Sequence, residues 1–110
     1  MNNLEFAKLL NLEPLYDNDK EMNIEGVYIG DLLSIVMAKA KHNFVWITIQ
    51  THINIIAVAE LLELTCIIIV ENMNVEAEAL EKAKELNIPI FKTKKSAYEV
   101  ACELCRMDIK

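Results

Sequence analysis

The sequence predicts an α/β domain: a mostly parallel sheet of four to five strands with helices on both faces. Three observations predict it. Short apolar runs alternate with helical patterns along the whole chain. The two central runs, FVWITI from Phe44 and TCIIIV from Thr65, are apolar on both faces, so they belong inside a sheet covered from two sides. Only two glycines and two prolines interrupt the 110 residues, so the connections are short and the chain is compact. That length fits one domain spanning residues 1–110.

The elements follow in order. Asn3 to Leu10 reads as a short amphipathic helix with Leu4, Phe6, Leu9 and Leu10 on one side and Asn2 or Asn3 as its cap. Leu12 to Tyr16 reads as a short extended piece, and Pro14, which lacks a ladder donor, puts it at a sheet edge. Asp17 to Asn23 is a polar turn. Val27 to Ile29 is a strand, Gly30 permits a turn, and Asp31 stands where a helix from Leu32 to His42 needs an N-cap. Phe44 to Ile49 is the next strand. Thr51 or Asn54 then caps a helix running to Leu64, and Cys66 to Val70 is a fully buried strand.

Asn74 is positioned to cap an amphipathic helix from Val75 to Leu86. Its wet face carries Glu76, Glu78, Glu81, Lys82 and Glu85, with Glu78 and Lys82 spaced for an i,i+4 pair. Ile88 to Lys92 is the last strand. Ser96 and Glu99 form the S-x-x-E signature of a capping box opening a final helix that ends at Met107.

Composition excludes several classes. The net charge is −6 and the pI is about 4.9, and the eleven Lys and Arg form no basic stripe, which argues against nucleic-acid binding. The longest uncharged run, Phe44 to Ala59, carries Thr48, Gln50, Thr51, His52 and Asn54, which a bilayer core tolerates badly. Three cysteines without a secretory leader read as reduced thiols in a cytoplasm. Cys102 and Cys105 form a C-x-x-C late in the last helix. The helix dipole there disfavours a thiolate, so both are expected to face the core rather than act as a redox pair. No metal set, no Walker loop and no G-x-G-x-x-G are present, and no cofactor is expected.

Function is expected where strands hand over to helices, because ligands of parallel sheets bind beyond the C-terminal strand ends. Those turns carry Asp31, then Gln50, Thr51, His52 and Asn54, then Glu71 and Asn72, then Lys94 and Lys95. The helix N-termini there suit an anion, and the lysines add to that field. Candidate ligand contacts are Asp31, Gln50, Thr51, His52, Asn54 and Lys94. Each has a plain structural role as well: His52 shaping its turn, Asp31 capping a helix, Gln50 and Thr51 satisfying loop backbone.

The helix after His52 is apolar almost all round, with only Asn54, Glu60 and Glu63 polar. Hydrophobic residues make up 54% of the chain, against roughly 45–50% in an average domain, so apolar surface is in excess. Both features point to a homodimer packed through this helix or the adjacent sheet edge.

The run GVYIGDLLSIVMAKA, the run VWITIQTHINIIAVAELLELTCIII and the run IPIFKTKKSAYEVACEL together resemble the DRTGG-domain family, in particular its small stand-alone bacterial members. The resemblance covers essentially the whole chain. It implies a Rossmann-like fold similar to the N-terminal domain of HPr kinase/phosphorylase, and a regulatory or dimerisation role like that of related domains beside CBS-domain pyrophosphatases. The family's naming motif is replaced: Thr51-His52 stands where other members have Asp-Arg, and Val70-Glu71-Asn72 where they have Thr-Gly-Gly.

The expectation is therefore a non-enzymatic regulatory domain sensing a small anionic or nucleotide-like ligand. Two alternatives stand beside it. One is a small acid–base enzyme using His52 and Asp31, which requires those side chains within hydrogen-bond reach. The other is an interaction subunit of a separately encoded kinase or redox enzyme.

Overall fold

The two apolar runs become the central strands β3 (Phe44–Thr48) and β4 (Cys66–Ile69) of the computed structural model, which describes all residues, Met1–Lys110. Val45, Trp46, Ile47 and every residue of β4 are completely buried. Strand β2 (Gly26–Ile29) pairs with β3, and β5 (Ile90–Lys92) pairs with β4, all in parallel. The short β1 (Glu13–Pro14) pairs antiparallel with β5 and closes that side, with Pro14 on the outer strand as expected. The spatial order is β1-β5-β4-β3-β2.

Alternate side chains of the same strands feed two cores. On one face Trp46, Ile67, Ile69 and Ile90 meet α2 (Leu33–Lys39), α3 (Asn54–Leu62) and α4 (Ala77–Leu86) through Val36, Ile55, Ile56, Val58, Ala59, Ala79 and Ala83. On the other, Val45, Ile47, Cys66, Ile68 and Phe91 meet α1 (Asn3–Leu10) and α5 (Ala97–Arg106) through Phe6, Leu10, Val100 and Leu104. Phe6 and Phe91 lie tilted at 5.8 Å between ring centroids. Lys95 clasps the two helices of this face. Its ammonium reaches the Glu103 carboxylate at 2.9 Å and the Leu10 carbonyl at 2.8 Å.

All three crossover helices therefore lie on one face, and the terminal helices cover the other. Strands β2 to β5 follow one another in space as in sequence. The parallel order never reverses, so the sheet has no switch-point crevice of the kind doubly wound folds use for nucleotides.

Several local expectations are corrected. Residue Asp31 does not cap α2, because the chain stays extended through Leu32 (φ −93°, ψ 109°) and the helix starts one residue too late for it. That helix ends at Lys39 rather than His42, since Ala40 is already extended. Neither Thr51 nor Asn54 caps α3; Ile53 occupies that place without a side-chain bond. This helix stops at Leu62, where Glu63 turns left-handed. Asn74 does not cap α4, because Glu76 is still extended and the helix begins at Ala77. Lys82 pairs with Glu85 at 3.6 Å rather than with Glu78. The capping boxes Asn2–Glu5 and Ser96–Glu99 are both formed.

The two remaining corrections concern apolar surface. The C-x-x-C does not face the core: Cys102 is half-buried and Cys105 is exposed. Cys66 alone lies in the core, and burial pushes its thiol pKa well up. The apolar helix α3 is covered mainly by its own chain, lying on the sheet between α2 and α4. Of its large residues only Leu61, 71% exposed, faces out.

Gly26 on the outer strand β2 sits opposite Phe44, whose ring covers it; a Cβ added there would meet that ring at 2.5 Å. We expect Gly26→Ala to displace the ring and lower stability by about 1–3 kcal/mol, the usual range for overpacking. Urea denaturation at unchanged m-value measures it, and an unchanged midpoint would show that the ring moves freely.

Candidate functional site

The first strand-to-helix corner is built around the Asp31 carboxylate. Because Asp31 precedes the helix instead of capping it, its Oδ1 turns sideways to β3. There it accepts from the Thr48 hydroxyl at 2.8 Å and the Ile49 amide at 2.9 Å. Gln50 reaches back, donating from Nε2 to the Asp31 carbonyl at 2.8 Å. Thr48 is buried and also accepts from the Gln50 amide at 3.1 Å. Two residues before Thr48, the buried Trp46 donates its indole N–H to the Gly30 carbonyl at 2.8 Å. Glycine fits at position 30 because a Cβ would meet the Tyr28 ring at 2.8 Å. The ends of β2 and β3 are thus stitched by four side-chain hydrogen bonds.

His52 lies just beyond. Its Nδ1 accepts from the Asn54 amide at 3.2 Å, so the ring performs the N-terminal capping that neither Thr51 nor Asn54 supplies. The Thr51 carbonyl accepts from the Glu76 amide at 3.1 Å, tying this turn to the start of α4. His52 and Asp31 share no hydrogen bond: Asp31 is engaged with the Thr48 hydroxyl and the Ile49 amide, His52 with the Asn54 amide.

At the exit of β4, Glu71 (φ 60°) and Asn72 (φ 56°) are both left-handed. Their amides donate to the carbonyls of Lys95 and Thr93, each at 2.9 Å, so this loop is bolted to the exit of β5. Beside it a polar hollow of about 330 Å³ is lined by Asn11, Glu13, Asn72, Lys92, Lys94 and Lys95, among others. Lys95 is neutralised by Glu103. Lys92 donates to the Asn74 amide oxygen, and neither it nor Lys94 has a carboxylate within ion-pair distance.

The six expected contact residues thus lie along one edge of the sheet but in two groups. Asp31, Gln50, Thr51, His52 and Asn54 form the β2–β3 corner. Lys94 follows β5, two interstrand steps from the β3 exit that carries Gln50 to Asn54 and three from the β2 exit that carries Asp31, about 10 and 14 Å at ~4.8 Å per step. The corner encloses no cavity of its own; the hollow is at the Lys94 end. No group of three His, Cys, Asp or Glu side chains comes together that would hold a metal. No helix is long and apolar enough to cross a membrane. Sequence reasoning missed Thr48 and the left-handed pair. Thr48 was hidden in an otherwise apolar strand, and Glu71 is not a residue type that signals a positive φ.

A family model of the DRTGG domain matches residues 6–107. The chain belongs to the DRTGG-domain family. Among solved structures it is similar to the CBS and DRTGG domains of the regulatory region of Clostridium perfringens pyrophosphatase, determined in complex with the activator diadenosine tetraphosphate. The likeness has a TM-score of 0.75 over 94% of this chain at 16% identity, and is one of fold. This chain spans 45% of that one, less than half its length. A comparison with curated proteins finds no significant sequence match.

Within the family, the left-handed pair acquires a meaning. By the resemblance drawn from the sequence, Glu71 and Asn72 are expected to stand where other members carry Gly-Gly, and they have the backbone shape that glycine adopts without steric cost. The left-handed conformation costs an L-residue roughly 1–2 kcal/mol, partly offset by the entropy glycine loses on folding. We expect Glu71→Gly to stabilise the fold by about 0.5–1 kcal/mol. Thermal and urea unfolding measure this, and a loss of stability would mean that the Glu71 side chain holds the loop.

Proposed function

We propose that this DRTGG domain is a regulatory, non-catalytic module that binds a small anionic, nucleotide-like ligand along the C-terminal edge of its sheet. The observation that carries the reading is the make-up of that edge. It combines a rigid polar corner at one end with a hollow at the other, whose lining holds three lysines and one acid, Glu13, and where neither Lys92 nor Lys94 has a carboxylate within ion-pair distance. The separate engagement of Asp31 and His52 leaves no acid–base pair, which disfavours the enzyme reading.

The spacing constrains the ligand. One molecule that touches both Gln50 or His52 and Lys94 must reach across about 10 Å, two interstrand steps. A single phosphate is too short; a nucleotide with an extended phosphate chain is long enough. The solved relative was bound to diadenosine tetraphosphate, which makes dinucleoside polyphosphates the first compounds to try.

The test is a thermal-shift series with inorganic phosphate, ADP, ATP and diadenosine tetraphosphate. A ligand at one hundred times its dissociation constant stabilises the fold by about 2.7 kcal/mol. We expect the longer phosphate chains to act, and Gln50→Ala, His52→Ala and Lys94→Ala each to weaken the response. An unchanged response in all three variants would move the site off this edge, and no response to any compound would remove the ligand class.

The module is proposed to act as a homodimer. Because α3 is covered by its own chain, the interface is placed on the open edge of β2. There Ile29, Leu32, Ile35 and Ile49 are exposed around the Asp31 corner, and the strand has no outer partner. A two-fold axis along this edge buries the same patch from both copies. Sedimentation at tens of micromolar is expected to give a dimer and the Leu32→Lys variant a folded monomer. A monomeric parent protein would dispose of the idea.

A further inference from the structure

The C-x-x-C of the last helix is a motif that neither the packing nor the proposed function accounts for. Its sequence assigns both cysteines to the core, and the structure removes that explanation. The core face of α5 is supplied by Val100 and Leu104. Cys102 and Cys105 are free thiols on the outward side, the first half-buried and the second exposed. Tyr98, 77% exposed, precedes them on the same helical stripe. Cys102 shares the lining of a small surface hollow with Tyr98, Glu99, Glu103 and Arg106. Cysteine is among the residue types most often buried, and one outside the core contributes chemistry rather than packing.

The spacing brings the two side chains within reach of each other. Residues three apart on an α-helix have Cα atoms about 5 Å apart, inside the roughly 4.4–6.8 Å that a disulfide spans. The Cβ atoms are the tighter test: about 5–6 Å apart on a regular helix, against roughly 3.5–4.5 Å in a disulfide. Closing the bridge therefore asks the turn to tighten, and α5 already tightens at this end. The Met107 amide donates to the Leu104 carbonyl at 3.0 Å and the Asp108 amide to the Cys105 carbonyl at 2.9 Å, both bonds of the 3₁₀ kind. Met107 has left the helix, with φ −87° and ψ 7°. A 3₁₀ turn eclipses side chains three residues apart, so carrying the tightening back by two residues draws Cys102 and Cys105 together. The residues between them are anchored meanwhile: Glu103 holds Lys95 at 2.9 Å and Leu104 is fully buried.

We propose that Cys102 and Cys105 are a reversible oxidation site, closed to an intramolecular disulfide by a low-molecular-weight disulfide. The exposed Cys105 thiolate attacks one sulfur of that reagent, forms a mixed disulfide and releases one thiol. The Cys102 thiolate then attacks Cys105 Sγ, closes the bridge and expels the second. The protons of the two protein thiols end on the two released thiols; the protein gives up two electrons and the reagent takes them. A helix C-terminus gives a thiolate no electrostatic help, so the pair answers to the surrounding thiols and is not a catalytic dithiol. Exposed and strained disulfides are the readily reduced ones, which keeps the step reversible. Cys66 takes no part: it is wholly buried, and burial pushes its thiol pKa well up. Neither cysteine of the pair belongs to the anion edge, so the two sites are tested separately.

The experiment equilibrates the reduced full chain under nitrogen with glutathione and glutathione disulfide at a series of ratios. Acid quenching, alkylation after unfolding and peptide mass spectrometry then read each cysteine. The expected result is that the Cys102–Cys105 peptide loses two hydrogens and takes no alkyl group, while Cys66 is alkylated in every sample. Dithiothreitol is expected to restore both thiols. In the Cys102→Ser variant the reaction is expected to stop at a glutathione adduct on Cys105, because the second thiol is gone. Any of four results overturns the proposal: glutathione adducts on both cysteines of the parent chain, a bridge between two chains on a non-reducing gel, thiols that stay free at every ratio, or a Cys102→Ser chain that takes up no glutathione.

Discussion

Burial of β3 and β4 on both faces is the constraint from which the rest of the molecule follows. A strand with no polar face cannot border water, so two helical layers are required. Parallel neighbours cannot be joined by a tight hairpin, so each connection must cross back through a helix. The three crossovers lie on one face, and the N- and C-terminal helices are left to cover the other. The Lys95 clasp between Leu10 and Glu103 matters for that reason: it ties together two helices from opposite ends of the chain that no crossover connects.

The same topology divides the polar chemistry between two edges. Every parallel strand leaves the sheet at one edge and every crossover helix returns at the other. One edge therefore collects strand exits and helix N-termini, the other helix C-termini. Side chains reinforce the division. Lysines without acidic partners stand at the first edge, and glutamates without basic partners at the second. With only two glycines in the chain, left-handed positions fall to other residues: Asn11, Glu63 and Asn87 end helices, Glu71 and Asn72 turn a loop, and Asn43 leads into β3. Asparagine suits this role because its short polar side chain tolerates the conformation.

Much of the fold was legible in the residues because it rests on periodicity and on burial, both of which are local signals. The doubly apolar strands, the capping box at Ser96 and the edge position of Pro14 could each be read directly. Caps at Asp31, Thr51 or Asn54, and Asn74 were misread for a common reason. Each residue type is a good cap, but the cap position falls one or two residues after Asp31, Thr51 and Asn74, while Asn54 already lies inside its helix; the Asp31 and Asn74 side chains bond to neighbouring strands instead. The site was legible as an edge and not as a geometry. Sequence placed Asp31, Gln50, His52 and Lys94 among strand exits, but it could not tell that the first three lie in a closed corner and the last in a separate hollow.

The sequence by itself determined the class of fold, the family, the order of the elements and which strands lie at the centre, because these depend on patterns within a few turns of chain. Tertiary structure alone decided the rest. It buried α3 between α2 and α4, turned the C-x-x-C outward, and laid β2 to β5 side by side in chain order so that no crevice opens at a switch point. It also brought Asn3, Asn18 and Asn87 together, residues up to 84 positions apart, and left one of their oxygens unpartnered. Such outcomes depend on which distant groups compete for the same acceptor or the same surface, and that competition exists only once the layers are packed.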